Sequence, residues 1–233
     1  MLTESLCSRL GALLQTSDSA YPLGTFSHSF GLEGLRQMGE VESTADLKAQ
    51  LHRTFVPMLL HVDLPLLARA REATEKRDWS ALQKLDRLSA ALRWSSEQRK
   101  AAGRMGARRL KLLESVHRFP AFEEPFASIA ASLSYTQACV VAGAESSLLA
   151  IPTEASAVAF AYQTLAGIIL AGVRLLRISP IQGQRLLRES VEAIVPGIDR
   201  GLGLRDEELG WFAPSFDIAA ARHARAEERQ FLS

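Results

Sequence analysis

Residues 155–176 read ASAVAFAYQTLAGIILAGVRLL (Ala155–Leu176). A stretch this long and apolar is either a membrane span or the buried centre of a helical domain. Its polar content decides between them. Ser156, Gln163, Thr164 and Arg174 interrupt it. Much of the remainder is Ala and Gly, whose transfer energy is small beside that of Leu or Ile. The segment is therefore predicted to be a helix buried inside a protein, and no membrane partner is expected.

The flanking sequence reads as helix nearly throughout. Leu6, Leu10, Leu13 and Leu14 share one helical face, with Thr3 placed to cap it. Ser43 and Asp46 have capping-box spacing ahead of TADLKAQLHRTFVPMLL, which Pro57 should kink or end. Asp63 is placed to cap the next helix, with Pro65 in its first turn, and Asp78 to cap one running through Leu92. Ser95 and Gln98 form a further box before the basic helix EQRKAAGRMGARRLKLLESV. FPAFEEP is a break. Helices are predicted from about Phe126 to Leu149, from Thr153 to Arg177 and from about Pro180 to Val195. Gly197, Gly201 and Gly203 mark one loop and WFAPSF another. No strand alternation is sustained and no hairpin turn signal occurs. The expectation is an all-α fold: a single helical domain, residues 1–233, of roughly eight to ten helices, with a flexible tail from about residue 217.

Composition narrows the function classes. The chain has 233 residues, 47% hydrophobic and 23% charged, with a net charge of +1. That balance gives no reason to expect nucleic acid, including a DNA-binding regulator, or an anionic membrane. Cys7 and Cys139 form no CxxC, which suits a reducing compartment. The opening MLTESLCSRL carries Glu4 and lacks a long apolar run, so it does not read as a secretory leader, and a cytoplasmic location is expected.

The chemistry-bearing residues concentrate in SDSAYPLGTFSHSFGLEGL (Ser17–Leu35). Ser27 or Ser29 with His28 could supply a small helical Ser/His hydrolase. Sequence neighbours seldom reach triad geometry, however, and no G-x-S-x-G elbow is present. Gly24 and Gly31 lack P-loop spacing and a following Lys. The local alternative is a turn at Asp18 and Ser19, a chain direction set by Pro22, and a helix beginning near His28 under a Ser27 or Ser29 cap. His28, His52, His61, His117 and His223 include no pair at i, i+4, so no metal site is read from them. Arg99, Lys100, Arg104, Arg108, Arg109 and Lys111 read as a solvated helix face, with an acidic protein partner as the lesser reading.

The order Ser17, Asp18, Pro22, Leu23, Gly24, Phe26, Ser27, His28, Ser29, Gly31, Leu32, Glu33 resembles the N-terminal signature of the urease accessory protein F (UreF) family. DLPLLARA from Asp63, GVRLLRISPIQGQRLL and the ending DIAAARHARAEERQFLS resemble further segments of that family, in order. In the ending the matching residues are Ala219, Ala220, Arg222, His223, Arg229, Phe231 and Ser233. The chain departs from the family pattern at Arg177, Ile178, Ser179 and Pro180, and at Gln230.

The resemblance implies a non-catalytic urease-maturation chaperone. By that resemblance it assembles with a D/H-type accessory protein, the GTPase UreG and apo-urease, and forms a homodimer. It implies no cofactor bound by this chain, nickel and GTP belonging to the assembly. The interaction residues it points to are Ser17, Asp18, Pro22, Gly24, Ser27, His28, Ser29, Gly31 and Glu33, with Arg222, His223, Arg229 and Phe231 in a second docking element.

Overall fold

The computed structural model describes residues 5–117, 123–226 and 228–232. Thr3, Ser233 and most of the FPAFEEP break lie outside the described residues. Every regular element among those described is helical, as the sequence predicts.

α1 (Leu6–Ser17) is capped by Ser5, whose hydroxyl accepts the Ser8 N–H at 3.2 Å. A 3-10 turn (Thr25–Ser27) leads to α2 (Leu32–Gln37). This helix starts later than the predicted His28, because Phe30 and Gly31 take φ values of 56° and 86° and interrupt helical continuity. α3 (Thr44–Gln50) opens on the predicted Ser43–Asp46 box, with the hydrogen bonds running both ways.

Pro57 does not end this helix. The chain stays helical through a π turn (Leu51–Phe55), α4 (Val56–Met58), a second π turn (Leu59–Asp63) and α5 (Leu64–Glu75). Each wide turn precedes a proline and relieves the clash of its ring with the preceding turn. Pro65 has no N–H to offer the His61 carbonyl, which instead accepts the Gly210 N–H at 3.0 Å. Asp63 therefore caps nothing. It sits in mid-helix geometry and pairs with Arg93.

α6 (Trp79–Ala91) has its predicted Asp78 cap. α7 (Ser96–Val116) is capped by Ser95 through the Glu97 N–H rather than by a box with Gln98. The single helix predicted over 126–149 is two, α8 (Glu123–Ser132) and α9 (Ala138–Leu148). Asp86 causes the break. Fully buried, it accepts the N–H groups of Ser134, Tyr135 and Gln137 at 2.8, 2.6 and 2.8 Å, fixing a tight loop between the helices.

α10 (Thr153–Leu176) ends at Arg177 with φ 54°. α11 (Pro180–Ile194) begins with a Ser179–Gln182 box and Pro180 in the first turn, so the departure from the family pattern builds a helix start. The predicted glycine loop is a 3-10 turn (Val195–Gly197) followed by α12 (Ile198–Leu202). Its glycines serve close packing: a Cβ at Gly201 would lie 2.9 Å from the Leu60 carbonyl oxygen. α13 is Pro214–His223.

The core has two main parts. One joins α2, α3, α10, α11 and α13 around Leu47, Phe55, Leu165, Ile168 and Phe216. The other joins α5, α6, α8 and α9 around Leu66, Leu67, Leu82, Ile129 and Val140. α10 is long and apolar enough to cross a membrane. Here it packs against α5, α9 and α11, burying Leu165, Ile168, Ile169 and Ala171.

Small residues let α5 and α9 approach closely. A Cβ at Gly143 would stand 2.2 Å from the Leu67 carbonyl oxygen, while one at Gly11, in exposed α1, meets nothing within 4 Å. Gly143→Ala is expected to destabilise by about 2 kcal/mol through overpacking. Gly11→Ala is expected to stabilise by about 0.5 kcal/mol through helix propensity. Thermal unfolding of the two variants should shift in opposite directions.

Candidate functional site

The signature stretch and the C-terminal helix meet. α2 lies against α13 so closely that a Cβ at Gly34 would be 2.4 Å from the Ala219 carbonyl oxygen. Gly31, in the left-handed region, faces the Phe216 ring, which a Cβ there would meet at 2.6 Å. Phe216 in turn packs edge-on to Phe55, with ring centroids 5.2 Å apart. The small residues of the signature thus admit this chain's own C-terminal helix.

Three buried side chains then latch the two ends together. His223 is fully buried, with Nε2 2.8 Å from Glu33 Oε2 and Nδ1 3.1 Å from both oxygens of Glu97. Each ring nitrogen thus faces a carboxylate. Glu33 also accepts the Gln230 N–H at 2.8 Å and the Phe231 N–H at 3.0 Å. The Leu232 N–H donates to the Ser27 carbonyl at 2.8 Å, which ties the last described residue to the signature loop. Phe231 is buried, with the Arg174 guanidinium 4.5 Å above its ring. Arg229 lies 3.7 Å from Glu97, its side chain partly exposed. Below the latch is a cavity of about 80 Å³ lined by Leu23, Phe30, Met105, Phe160 and Phe216, among others.

The structure sorts the predicted residues into two groups. His28, Ser29, Gly31, Glu33, His223 and Phe231 are buried. Asp18, Pro22, Ser27, Arg222 and Arg229 are exposed, with Ser17 and Gly24 between the two classes. Asp18 makes the predicted local turn, accepting the Ala20 N–H at 2.6 Å. The stretch beyond 217, predicted as a flexible tail, is α13 as far as His223 and then an irregular segment pinned through Gln230, Phe231 and Leu232.

Among the described residues the contacts around Ser27 to Ser29 are structural rather than those of a hydrolase. The Ser29 hydroxyl is buried and accepts the Glu33 N–H at 3.3 Å. His28 stands in a cationic setting: burial first, then Arg104 and Arg108, pushes its pKa below the usual 6.5. The Arg108 guanidinium reaches over the signature loop, 2.5 Å from where a Cβ at Gly24 would stand, and the φ of 78° at Gly24 favours glycine there. Among the described residues no cluster of three or more His, Cys, Asp or Glu side chains could hold a metal ion. The basic helix is solvated only in part. Lys100, Arg104, Arg108 and Lys111 face outward, but Arg109 is buried against Glu145 and donates to Gln163 Oε1 at 2.6 Å.

Comparison with known proteins places the chain in a family. The family model for UreF matches residues 41–191. A urease accessory protein UreF of Bacillus sp. (strain TB-90) is 30% identical over 97% of this chain and 100% of its own length. Another, of Pseudomonas entomophila (strain L48), is 32% identical over 95% of this chain and 96% of its own. The chain belongs to the UreF family. Its relatives are named urease accessory proteins, and membership of that family implies a role in urease maturation for this chain.

Sequence reasoning missed Glu97, Arg174 and the Asp63–Arg93 pair of this UreF. Glu97 was legible only as a first-turn acid of α7, and its distance in sequence from Glu33 and His223 hides the contact. Glu33→Ala leaves His223 Nε2 and two tail N–H groups without their partner. It is expected to cost about 3 kcal/mol and to speed tryptic cleavage after Arg225 and Arg229. Arg222→Ala, at an exposed position, should change neither. His28 sets a pH dependence. Its folded pKa is depressed, so the unfolded chain takes the proton first and stability falls as pH drops below about 6.5. Denaturant titrations of His28→Asn across that range should show a flatter dependence than the natural chain.

Proposed function

We propose that this UreF is an adaptor chaperone in the cytoplasm, acting as a homodimer. It bridges a D/H-type accessory protein and the GTPase UreG for nickel insertion into apo-urease. Nickel and GTP belong to the assembly, with modulation of the GTP cycle as the effect on UreG. The observation that carries this reading is the latch, which joins the signature stretch and the C-terminal segment into one continuous surface. On that surface the exposed Asp18, Pro22, Ser27, Arg222 and Arg229 are the contact residues. The buried Glu33, His223 and Phe231 hold them in place. A pre-formed surface spares the partner the cost of ordering it.

The test is co-purification with the two accessory partners from the same source, followed by size-exclusion chromatography with light scattering. The natural chain should enter a stable assembly. Arg222→Ala with Arg229→Ala should weaken that assembly at least about tenfold, as expected for a pair of interface arginines, without lowering the unfolding temperature by more than about 2 °C. Phe231→Ala is unsuited to the purpose, since removing a buried ring costs about 3 kcal/mol in the chain itself. A natural chain that captures neither partner sinks the adaptor reading. An undiminished assembly from the double variant removes the arginines from it.

A further inference from the structure

On another part of the surface, two tryptophans and one carboxylate line a single groove. Trp94 is 70% exposed and Trp211 38%, with Phe212 beside it in sequence at 72%. Trp94 and Trp211 line a groove with Leu92, Val62, Ala213 and Asp217. Exposed aromatic residues held in one place are the usual anchors of a protein interface.

Contacts fix the backbone at Trp94 and the ring of Trp211. Arg99 donates to the Trp94 carbonyl at 2.8 Å, which fixes the turn before α7. Trp211 follows Gly210, whose N–H fills the His61 carbonyl left unpaired by Pro65, and its ring packs 5.6 Å from the His61 ring. The backbone of the groove is thus pre-organised, which lowers the cost of ordering it on binding.

Asp217 sets the chemistry. Among the described residues, none donates a hydrogen bond to its side chain or forms an ion pair with it. Partial burial pushes its pKa up with nothing to offset it. The other charged group lining the groove, Arg93, is committed to Asp63. An unsatisfied carboxylate in a groove lined by two indole side chains is complementary to a planar cation. The apolar floor of Leu92, Val62 and Ala213 suits the methylenes behind that cation.

We propose that this groove docks an arginine side chain presented by a partner protein, the guanidinium lying against Trp94 and Trp211 and pairing with Asp217. The groove shares α13 with the latch through Phe216 and Asp217, but Trp94, Trp211 and Asp217 are not among the contact residues of the adaptor reading, so the proposal goes beyond that reading and stands or falls without it.

The test uses the full chain, labelled with nitrogen-15, and records the three indole N–H signals by NMR. The probe is the peptide acetyl-Gly-Leu-Arg-Leu-Gly-amide, with the Arg-to-Glu peptide as control. Saturable shifts of Trp94 and Trp211, with Trp79 unmoved and no response to the Glu peptide, are expected. Asp217→Asn should weaken binding at least about fivefold, and Trp94→Ala likewise, as for a desolvated cation–π contact. Both positions are at least partly exposed, and an unchanged Trp79 signal reports that each variant is folded. Absence of saturable shifts, equal shifts with the Glu peptide, or undiminished binding to Asp217→Asn overturns the proposal. Because the probe is a peptide and not an accessory protein, a negative result here leaves the co-purification outcome independent.

Discussion

The placement of both chain ends depends on the Glu33 carboxylate being out of water and fully used. Its two oxygens serve the His223 ring and the N–H groups of Gln230 and Phe231. The tail beyond α13 has no regular secondary structure, so its backbone donors need partners from elsewhere. Glu33 and the Ser27 carbonyl supply them. Closing a loop of nearly the whole chain costs only logarithmically more than closing a short one. A few buried, well-directed hydrogen bonds and one buried aromatic ring are therefore enough to join residues 190 and more positions apart.

That constraint explains what could be read in the sequence and what could not. Local signals were legible: the Ser43–Asp46 box and the Asp78 cap appear where spacing puts them. The burial of α10 was legible from its polar interruptions and its many small residues. Proline was misleading, because a π turn is a tertiary accommodation with no local signature. Its acceptors, such as the His61 carbonyl, are satisfied from the far end of the chain. Asp86 was silent for the same reason: its three donors lie about fifty residues away. Of the site, the motif residues were visible in sequence, but not the division of labour among them. Whether Glu33 touches a partner or the chain's own tail is decided by where α13 packs, and only the closeness forced by Gly34 reveals that.

Charge tells a similar story on α7. Lys100, Arg104, Arg108 and Lys111 recur at helical spacing and face outward, while Arg109 turns in to Glu145 and Gln163. In composition all are basic residues of one helix. Position 109 differs because it faces α9 and α10, where a buried carboxylate is waiting. Burying such a pair gives little net stability, since desolvation offsets much of the attraction, but removing one partner is costly. The Arg109–Glu145 and Arg93–Asp63 pairs thus act chiefly against alternative packings, in which a charge would be left buried without its counterpart.

A motif that carries both the fold and the proposed docking role is then a physical consequence of the latch. A docking surface built from two chain ends must first hold those ends together, and groups that do so in the interior are unavailable to a partner. In this chain Glu33, Ser29, Gly31 and Phe231 are the holding groups, fully or nearly fully buried. Asp18, Pro22, Ser27 and Arg229 are carried outward by them. On the proposed adaptor reading, substituting either kind would weaken assembly, but through different terms: the first raises the free energy of the surface itself, the second removes contacts made on it. Only the first is visible in the isolated chain, so stability measured alone separates the two roles within a single motif.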